Sequence, residues 1–87
     1  DDVLIAERAS AEFVVKAPTP HEDFNARLKT GFTHAEIDTI GGFVMARLGR
    51  VPRRGEKIEF DGLRFEVLRA DSRRVHLLKV TRLAETV

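Results

Sequence analysis

The stretch DTIGGFVMARLGRVPRRGEKIEFDGLRFEV, from Asp38 to Val67, holds the signals that decide the fold. Its first part places an apolar residue at every fourth position, at Ile40, Val44 and Leu48, which is the spacing of one buried helix face. Gly49 follows at the position where a left-handed residue commonly ends a helix. The pattern therefore predicts a helix from about Asp38 to Leu48, with Asp38 as its capping residue.

The second part of the stretch predicts an antiparallel hairpin. Apolar and charged residues alternate on both sides of Asp61-Gly62, a strong hairpin signal because both residues tolerate a positive φ. A third strand, VHLLKVTR, follows after a turn. Its apolar pattern changes phase between Val75 and the pair Leu78 and Val80, which indicates a β-bulge or burial on both faces of the sheet.

A strand and a short helix are predicted upstream of this stretch. AEFVVKA, residues 11–17, alternates as a strand does. In TPHE, Thr19 is expected to cap the helix, Pro20 to take its first position and Glu22 to complete a capping box. Gly31 is expected to end this helix. The preceding segment DVLIAE, residues 2–7, is interpreted as an extended arm.

The resulting order β-α-α-β-β-β is typical of the α+β class, here an antiparallel sheet with two helices packed on one face. A chain of 87 residues is long enough for one domain only. We interpret residues 1–10 as an N-terminal extension or interdomain linker and residues 11–87 as the domain. The chain begins with Asp1 rather than methionine, so we expect a piece of a longer protein.

The composition excludes some classes of function and favours others. The chain has no cysteine, which excludes disulfides and a thiol nucleophile. Residues 1–40 carry four basic and eight acidic side chains (net −4), and residues 41–87 carry eleven and six (net +5). Such an asymmetry is compatible with a basic surface for an anionic partner, although most of these arginines alternate with apolar residues, as on a solvated sheet face. No stretch approaches the run of about 18 apolar residues that a membrane helix needs.

No catalytic or metal-binding constellation is predicted. The three histidines, His21, His34 and His76, lack the spacing of a metal site. The two serines, Ser10 and Ser72, lie in predicted turns without a nucleophile elbow. The acidic pairs fit helix starts and turns, where the helix dipole and turn geometry favour them. We therefore predict that the chain is not an enzyme and binds no metal.

The glycine pair Gly41-Gly42 at the head of the second helix has two interpretations. Free amides at a helix start can hold a phosphate, which would make these glycines cofactor-binding residues. However, DTIGGF lacks both the GxGxxG spacing and the GK[ST] ending of phosphate loops. Its flanking residues Ile40 and Phe43 favour close packing of the helix against the sheet.

Four arginines near the end of that helix are candidates for partner contact, namely Arg47, Arg50, Arg53 and Arg54. Arg73-Arg74 forms a second pair. A binder of single-stranded nucleic acid would place exposed aromatic residues between such charges. The chain has neither tyrosine nor tryptophan, and its six phenylalanines fall at core or loop positions. The sequence therefore predicts an arginine-lined edge that contacts an acidic protein surface, without nucleic acid.

Several motifs occur in an order that resembles the CorC/HlyC transporter-associated domain. They cover about residues 13–82 and are Pro20, Asp23, Phe24 and Asn25; Asp38-Thr39-Ile40-Gly41-Gly42; Leu48-Gly49-Arg50-Val51-Pro52; Gly55-Glu56; Asp61-Gly62 with Phe65-Glu66-Val67; and Arg73-Arg74-Val75. The chain departs from the pattern at the first turn, where Ala17-Pro18 stands in place of the usual glycine and His21 in place of an apolar residue.

This resemblance implies a fold similar to the FAD-binding/transporter-associated domain-like fold. It implies a C-terminal regulatory domain after a pair of CBS domains in magnesium and cobalt efflux proteins and hemolysin-like relatives. The expected partners are the CBS domains of the same parent chain or a second copy of this domain. The expected location is cytoplasmic, with the membrane reached only through the parent protein. No cofactor is expected; the alternative is a small-molecule sensor that binds FAD or an adenine nucleotide.

Overall fold

The protein is built on one five-stranded antiparallel sheet in the order β1-β2-β5-β4-β3. The computed structural model describes residues 4–9 and 11–83. Its elements are β1 (Ile5–Ala9), β2 (Glu12–Lys16), α1 (His21–Leu28), α2 (Ile40–Leu48), β3 (Lys57–Phe60), β4 (Leu63–Ala70) and β5 (Val75–Arg82). The predicted α+β class is confirmed, because both helices pack their apolar side chains into the same core as the sheet.

The first strand is the main difference from the predicted element order, which lacked it. β1 pairs antiparallel with β2, with Ile5 opposite Val15. Only the first part of β1 is half-buried and its last three residues are exposed, so the alternation that marks a strand is missing. Residues 5–9 are therefore part of the sheet, and the domain boundary at residue 10 stays a prediction. Residues 1–3 and 10 lie outside the described residues.

The start of α1 differs from the predicted capping box. The Thr19 hydroxyl donates to the Lys16 carbonyl oxygen at 2.6 Å, and this threonine is fully buried. Pro20 takes the capping position without a side-chain hydrogen bond. The Thr19 prediction was wrong because the hydroxyl serves the preceding turn, whose carbonyl is buried beside it.

The end of α1 comes earlier than predicted. Lys29 adopts a left-handed conformation with φ 58°, two residues before Gly31. The Asn25 side chain then bonds both backbone groups of Phe32, donating to its oxygen at 2.7 Å and accepting from its nitrogen at 3.0 Å. These two bonds fold the chain back over α1 and bury the Phe32 ring.

The second helix is capped by Thr39 rather than by Asp38. The Thr39 hydroxyl oxygen accepts the Gly42 N–H at 3.2 Å. Asp38 instead accepts the His21 N–H on its backbone oxygen at 2.7 Å, which keeps it outside the helix. The end of α2 at Gly49, with φ 77°, is as predicted.

The hairpin and the bulge follow the sequence pattern. Asp61 and Gly62 have φ values of 54° and 75°, as a tight turn between β3 and β4 requires. The pairing of β4 with β5 shifts register on either side of Arg69. Val75 and Leu78 are both buried although three positions separate them, which a regular strand does not allow. The change of phase in the sequence thus coincides with an irregular register between β4 and β5, as expected for the first of the two predicted alternatives.

The core lies between the sheet and the two helices. It consists of Phe13, Val15, Ala17, Phe24, Leu28, Phe32, Ile40, Val44, Phe60, Leu63, Phe65, Val67, Val75, Leu78 and Val80. Aromatic rings form its centre: Phe60 stacks on Phe65 with centroids 4.8 Å apart, and Phe32 meets Phe60 edge-on at 5.8 Å. Such ring pairs add about 0.5–1.5 kcal/mol beyond the burial of their area.

Candidate functional site: the two sides of the β4–β5 turn

The structure does not gather the four predicted contact arginines into one surface. Arg50 forms a bidentate ion pair with Glu56, with distances of 2.9 and 2.6 Å from its two terminal nitrogens to the carboxylate oxygens. The Arg53 backbone N–H also donates to this carboxylate. These bonds, that from Arg50 first, lower the pKa of Glu56 to about 2. Arg50 therefore holds the loop before β3 in place.

Arg47 has a different neighbour. Its guanidinium lies over the Phe60 ring, 5.2 Å from the centroid, in a cation–π arrangement. It borders a recess of about 370 Å³ whose lining includes Phe32 and Phe43. Arg47 covers the edge of the aromatic core and lines no recess with Arg53 or Arg54.

Arg53 and Arg54 border one side of the β4–β5 turn. Both are exposed, and neither guanidinium forms an ion pair with a carboxylate among residues 4–9 and 11–83, although the charge of Arg53 helps to lower the pKa of Glu56. They line a recess of about 490 Å³, here called the Arg53–Arg54 recess, together with Val51, Pro52, Ala70, Asp71 and Ser72. This side combines two available cations with small apolar surfaces.

The turn itself is held by one carboxylate. Asp71 accepts the backbone N–H groups of Arg73 and Arg74 at 2.7 and 2.9 Å on one oxygen, and its other oxygen lies 2.7 Å from His76 Nε2. The contact with His76, followed by the two N–H bonds, holds the pKa of Asp71 well below its usual range. Asp71 thus fixes the backbone from which both arginines project.

Arg73 and Arg74 lie on the other side of the turn. They line a recess of about 430 Å³, here called the Gly–Arg recess, together with Ala17, Pro18, Thr39, Gly41, Gly42, Met45, Val75 and His76. The sequence pattern showed this arginine pair but did not predict a site for it. Asp71, which precedes the two arginines by two and three positions, could have predicted the fixed turn, because aspartate in a turn bonds nearby backbone N–H groups.

The glycine pair lines the same recess, but its amides are already bonded. Gly41 N–H donates to the Ala17 carbonyl oxygen at 2.9 Å, and Gly42 N–H donates to the Thr39 hydroxyl at 3.2 Å. The preceding Ile40 N–H donates to the Thr19 oxygen at 3.0 Å. None of these three amides is free for an anion in this structure.

The absence of a side chain at Gly41 has a steric reason. A Cβ built at Gly41 would lie 2.7 Å from the Ala17 Cβ and 3.1 Å from its carbonyl oxygen, closer than carbon atoms approach without displacement. Ala17 also donates its own N–H to the His76 oxygen of β5 at 3.0 Å. The glycine therefore lets α2 approach the end of β2 closely, where Ala17 links the helix to the sheet.

Two cations of the sheet face opposite the helices, Lys79 and Arg64, provide a contrast because both are paired. Lys79 lies 3.2 Å from Glu12 and 3.5 Å from Glu66, and these contacts, with Glu12 first, raise the pKa of Lys79. Arg64 is paired with Glu59 at 2.9 Å on the same face. The unpaired arginines of the β4–β5 turn are thus available for a ligand or partner in a way that these cations are not.

Residues 4–9 and 11–83 contain neither a metal-binding cluster nor a membrane-spanning helix. No group of three or more histidine, aspartate or glutamate side chains is placed to hold a metal ion there. Neither α1 nor α2, with eight and nine residues, has the length and apolar character to cross a membrane.

Known proteins resemble this chain in sequence. The sequence model of the family called transporter associated domain, CorC_HlyC, matches residues 6–84. The magnesium and cobalt efflux protein CorC of Vibrio cholerae is 51% identical over 69 residues, which is 79% of this chain and 24% of that protein. The protein of the same name from Escherichia coli K12 is 44% identical over 75 residues, 86% of this chain and 26% of that protein. This chain thus spans about a quarter of the length of these relatives.

A solved structure shows the same fold. The Mg²⁺ and Co²⁺ transporter (CorC) associated region from Neisseria meningitidis MC58 superposes with a TM-score of 0.88 at 43% identity. The match covers 93% of this chain and 100% of that one, so the solved protein consists of this domain alone.

Proposed function

The chain belongs to the CorC/HlyC transporter-associated domain family, and from this we propose that it is a non-catalytic accessory domain of a magnesium and cobalt efflux protein. In this proposal it modulates ion transport through contacts with neighbouring domains of its parent. The 51% identity to a CorC protein supports a magnesium and cobalt efflux protein as the parent of this domain. The remaining three quarters of such a protein provide the partner surfaces, with the CBS pair as the first candidate and a second copy as the next.

The Arg53–Arg54 recess carries this proposal. Two arginines that form no ion pair with a carboxylate of the described residues stand beside the half-buried side chains of Val51 and Ala70. Protein interfaces are enriched in arginine, and they combine apolar area with such groups. An acidic surface on the neighbouring domain matches this chemistry. The proposed location is the cytoplasmic side of the membrane that holds the parent.

Charge reversal at this recess tests the contact. Arg53→Glu with Arg54→Glu should weaken binding of this domain to the separately purified CBS pair of its parent, measured by calorimetric titration. Loss of two charge pairs across an interface corresponds to a weakening of about tenfold or more. The same double variant in the full-length parent should change the rate of magnesium efflux from loaded cells.

The matched control is Arg64→Glu with Lys79→Glu on the opposite sheet face, which makes the same change in net charge. It should leave the titration with the CBS pair unchanged. Equal weakening by both double variants would show that net charge alone matters and would contradict this recess as the contact.

A further inference from the structure

The Gly–Arg recess takes no part in the domain contact proposed above, and its two walls differ in chemistry. One wall is formed by Ala17, Gly41 and Gly42, with Met45 beside them. The two glycines have no side chain and Ala17 has only a methyl group, so this wall is flat and largely apolar. A flat apolar wall fits a planar ring system better than a branched chain.

The opposite wall carries positive charge. Arg73 and Arg74 line it, and neither guanidinium has a carboxylate partner in the part of the chain that the structure describes. Asp71 bonds both backbone N–H groups, so the two residues start from a fixed turn. A guanidinium donates in a planar fork that matches two oxygens of a phosphate group.

The recess lining also includes one neutral hydroxyl, that of Thr39 at the start of α2. The Thr39 hydroxyl oxygen accepts the Gly42 N–H, which leaves the hydroxyl proton available to a bound molecule. The recess has a volume of about 430 Å³. This lies within the range of about 300–1,000 Å³ of small-molecule sites.

We propose that the Gly–Arg recess binds a phosphorylated small molecule with a flat ring system, which is the chemistry of a purine nucleotide. The phosphate lies on Arg73 and Arg74, and the ring lies against Gly42 and Met45, beside the buried Gly41 and Ala17. The phosphate is not placed on the start of α2, because its amides donate to Ala17, Thr39 and Thr19. This ligand site goes beyond the accessory role and does not depend on it.

The test is calorimetric titration of the chain with AMP, ATP and inorganic phosphate. AMP and ATP should bind, and inorganic phosphate should bind at least about tenfold more weakly, because burial of a ring adds free energy that phosphate lacks. Arg73→Gln with Arg74→Gln should weaken AMP binding about tenfold or more, since both charge-assisted bonds are lost. Arg53→Gln with Arg54→Gln removes the same charge on the other side of the turn and should leave the affinity for AMP unchanged.

A second variant tests the flat wall. Met45→Glu adds a carboxylate beside the proposed ring and should also weaken AMP binding, while circular dichroism confirms that the variant is folded. Absence of AMP binding, equal binding of AMP and inorganic phosphate, or equal losses in the two arginine double variants would each overturn the proposal.

Vesicles distinguish a lipid headgroup from a free nucleotide. Vesicles of phosphatidylcholine with phosphatidylserine present the same phosphate chemistry on a surface. Competition of AMP with any vesicle binding supports the recess as the common phosphate site. Vesicle binding without AMP binding would overturn the nucleotide assignment. The titration with the CBS pair involves no nucleotide, so failure here leaves the proposed domain contact standing.

Discussion

The two walls of the Gly–Arg recess face each other across one cavity, yet they serve different ends. On the wall at the start of α2, every backbone amide from Ile40 to Gly42 is hydrogen-bonded and Gly41 is buried against Ala17. On the wall at the β4–β5 turn, the arginines are exposed and lack carboxylate partners in the described residues. The first wall holds the fold together and offers a ligand only an apolar surface, whereas the second wall offers charged groups.

This difference between the walls predicts which substitutions the fold tolerates without a large loss of stability. Substitutions on the α2 wall act on a close contact between backbone layers, and such contacts relax only at a cost in stability. Substitutions at exposed surface positions usually change stability little. Loss of stability is therefore expected mainly from substitutions on the α2 wall, and loss of phosphate binding mainly from substitutions of the arginines, although all these residues line the same recess.

The largest effect is expected at Gly41. In Gly41→Val the new Cβ must displace Ala17, whose Cβ would lie only 2.7 Å away. We expect a loss of about 3 kcal/mol in the free energy of unfolding, from overpacking of about 1–3 kcal/mol and a weakened hydrogen bond of about 1 kcal/mol. Urea unfolding monitored by circular dichroism measures it.

Gly31→Val is the matched control for Gly41→Val. Gly31 has no heavy atom within 4 Å of a built Cβ and carries no positive φ that would exclude a side chain. Equal stability of the two valine variants would show that the contact between Gly41 and Ala17 does not hold the two layers together.

The next largest effect is expected at Gly62, where the cost has a different origin. A Cβ there meets nothing within 4 Å, but φ is +75°. Gly62→Val should lose about 1–2 kcal/mol in the free energy of unfolding, because a β-branched residue resists this conformation. Gly62→Asn tolerates the same φ and should retain most of the stability. A loss in the asparagine variant as large as in the valine variant would contradict a conformational origin.

Local signals in the sequence predicted the turns and helix ends that glycine determines. The helix end at Gly49 and the hairpin at Asp61-Gly62 depend on the backbone of neighbouring residues, so their residue types were sufficient. β1 was missed because its pairing with β2 satisfies the backbone while half of its side chains remain exposed. Thr19 was misassigned because the buried acceptor of its hydroxyl precedes it in the chain.

The candidate site was predictable only in part, since its groups come from distant parts of the chain. Arg50 and Arg53 are close in sequence, but the Glu56 carboxylate takes the side chain of one and only the backbone N–H of the other. Arg74 and Gly41 are far apart in sequence and line one recess. Sequence spacing contains no information on such distances between elements.

Variants of Asp71 test whether AMP binding at the β4–β5 turn depends on the fixed backbone of the turn or on the charge of this carboxylate. Asp71→Ala removes the acceptor for both arginine N–H groups, so AMP affinity should fall several-fold with little change in melting temperature. Asp71→Asn retains the acceptor oxygen and removes the negative charge near the arginines, so AMP affinity should stay equal or rise. Equal losses of AMP affinity in the two variants would contradict this role of Asp71, because asparagine retains the acceptor oxygen and removes a charge that opposes phosphate binding.

The smallest effect is expected on the stability at low pH, and it tests the ion pair that holds the loop carrying Arg53. Bonds from Arg50 and from the Arg53 N–H lower the pKa of Glu56 from 4.5 to about 2. Because the folded pKa is the lower one, ionised Glu56 stabilises the fold above about pH 4.5, and this contribution is lost as the pH falls towards 2. The free energy of unfolding should therefore decline over this range less steeply in Glu56→Gln, which cannot titrate. Urea titrations at several pH values measure the decline in both proteins. Parallel declines would mean that the Arg50–Glu56 pair does not stabilise the fold in solution, which is common for ion pairs at the surface.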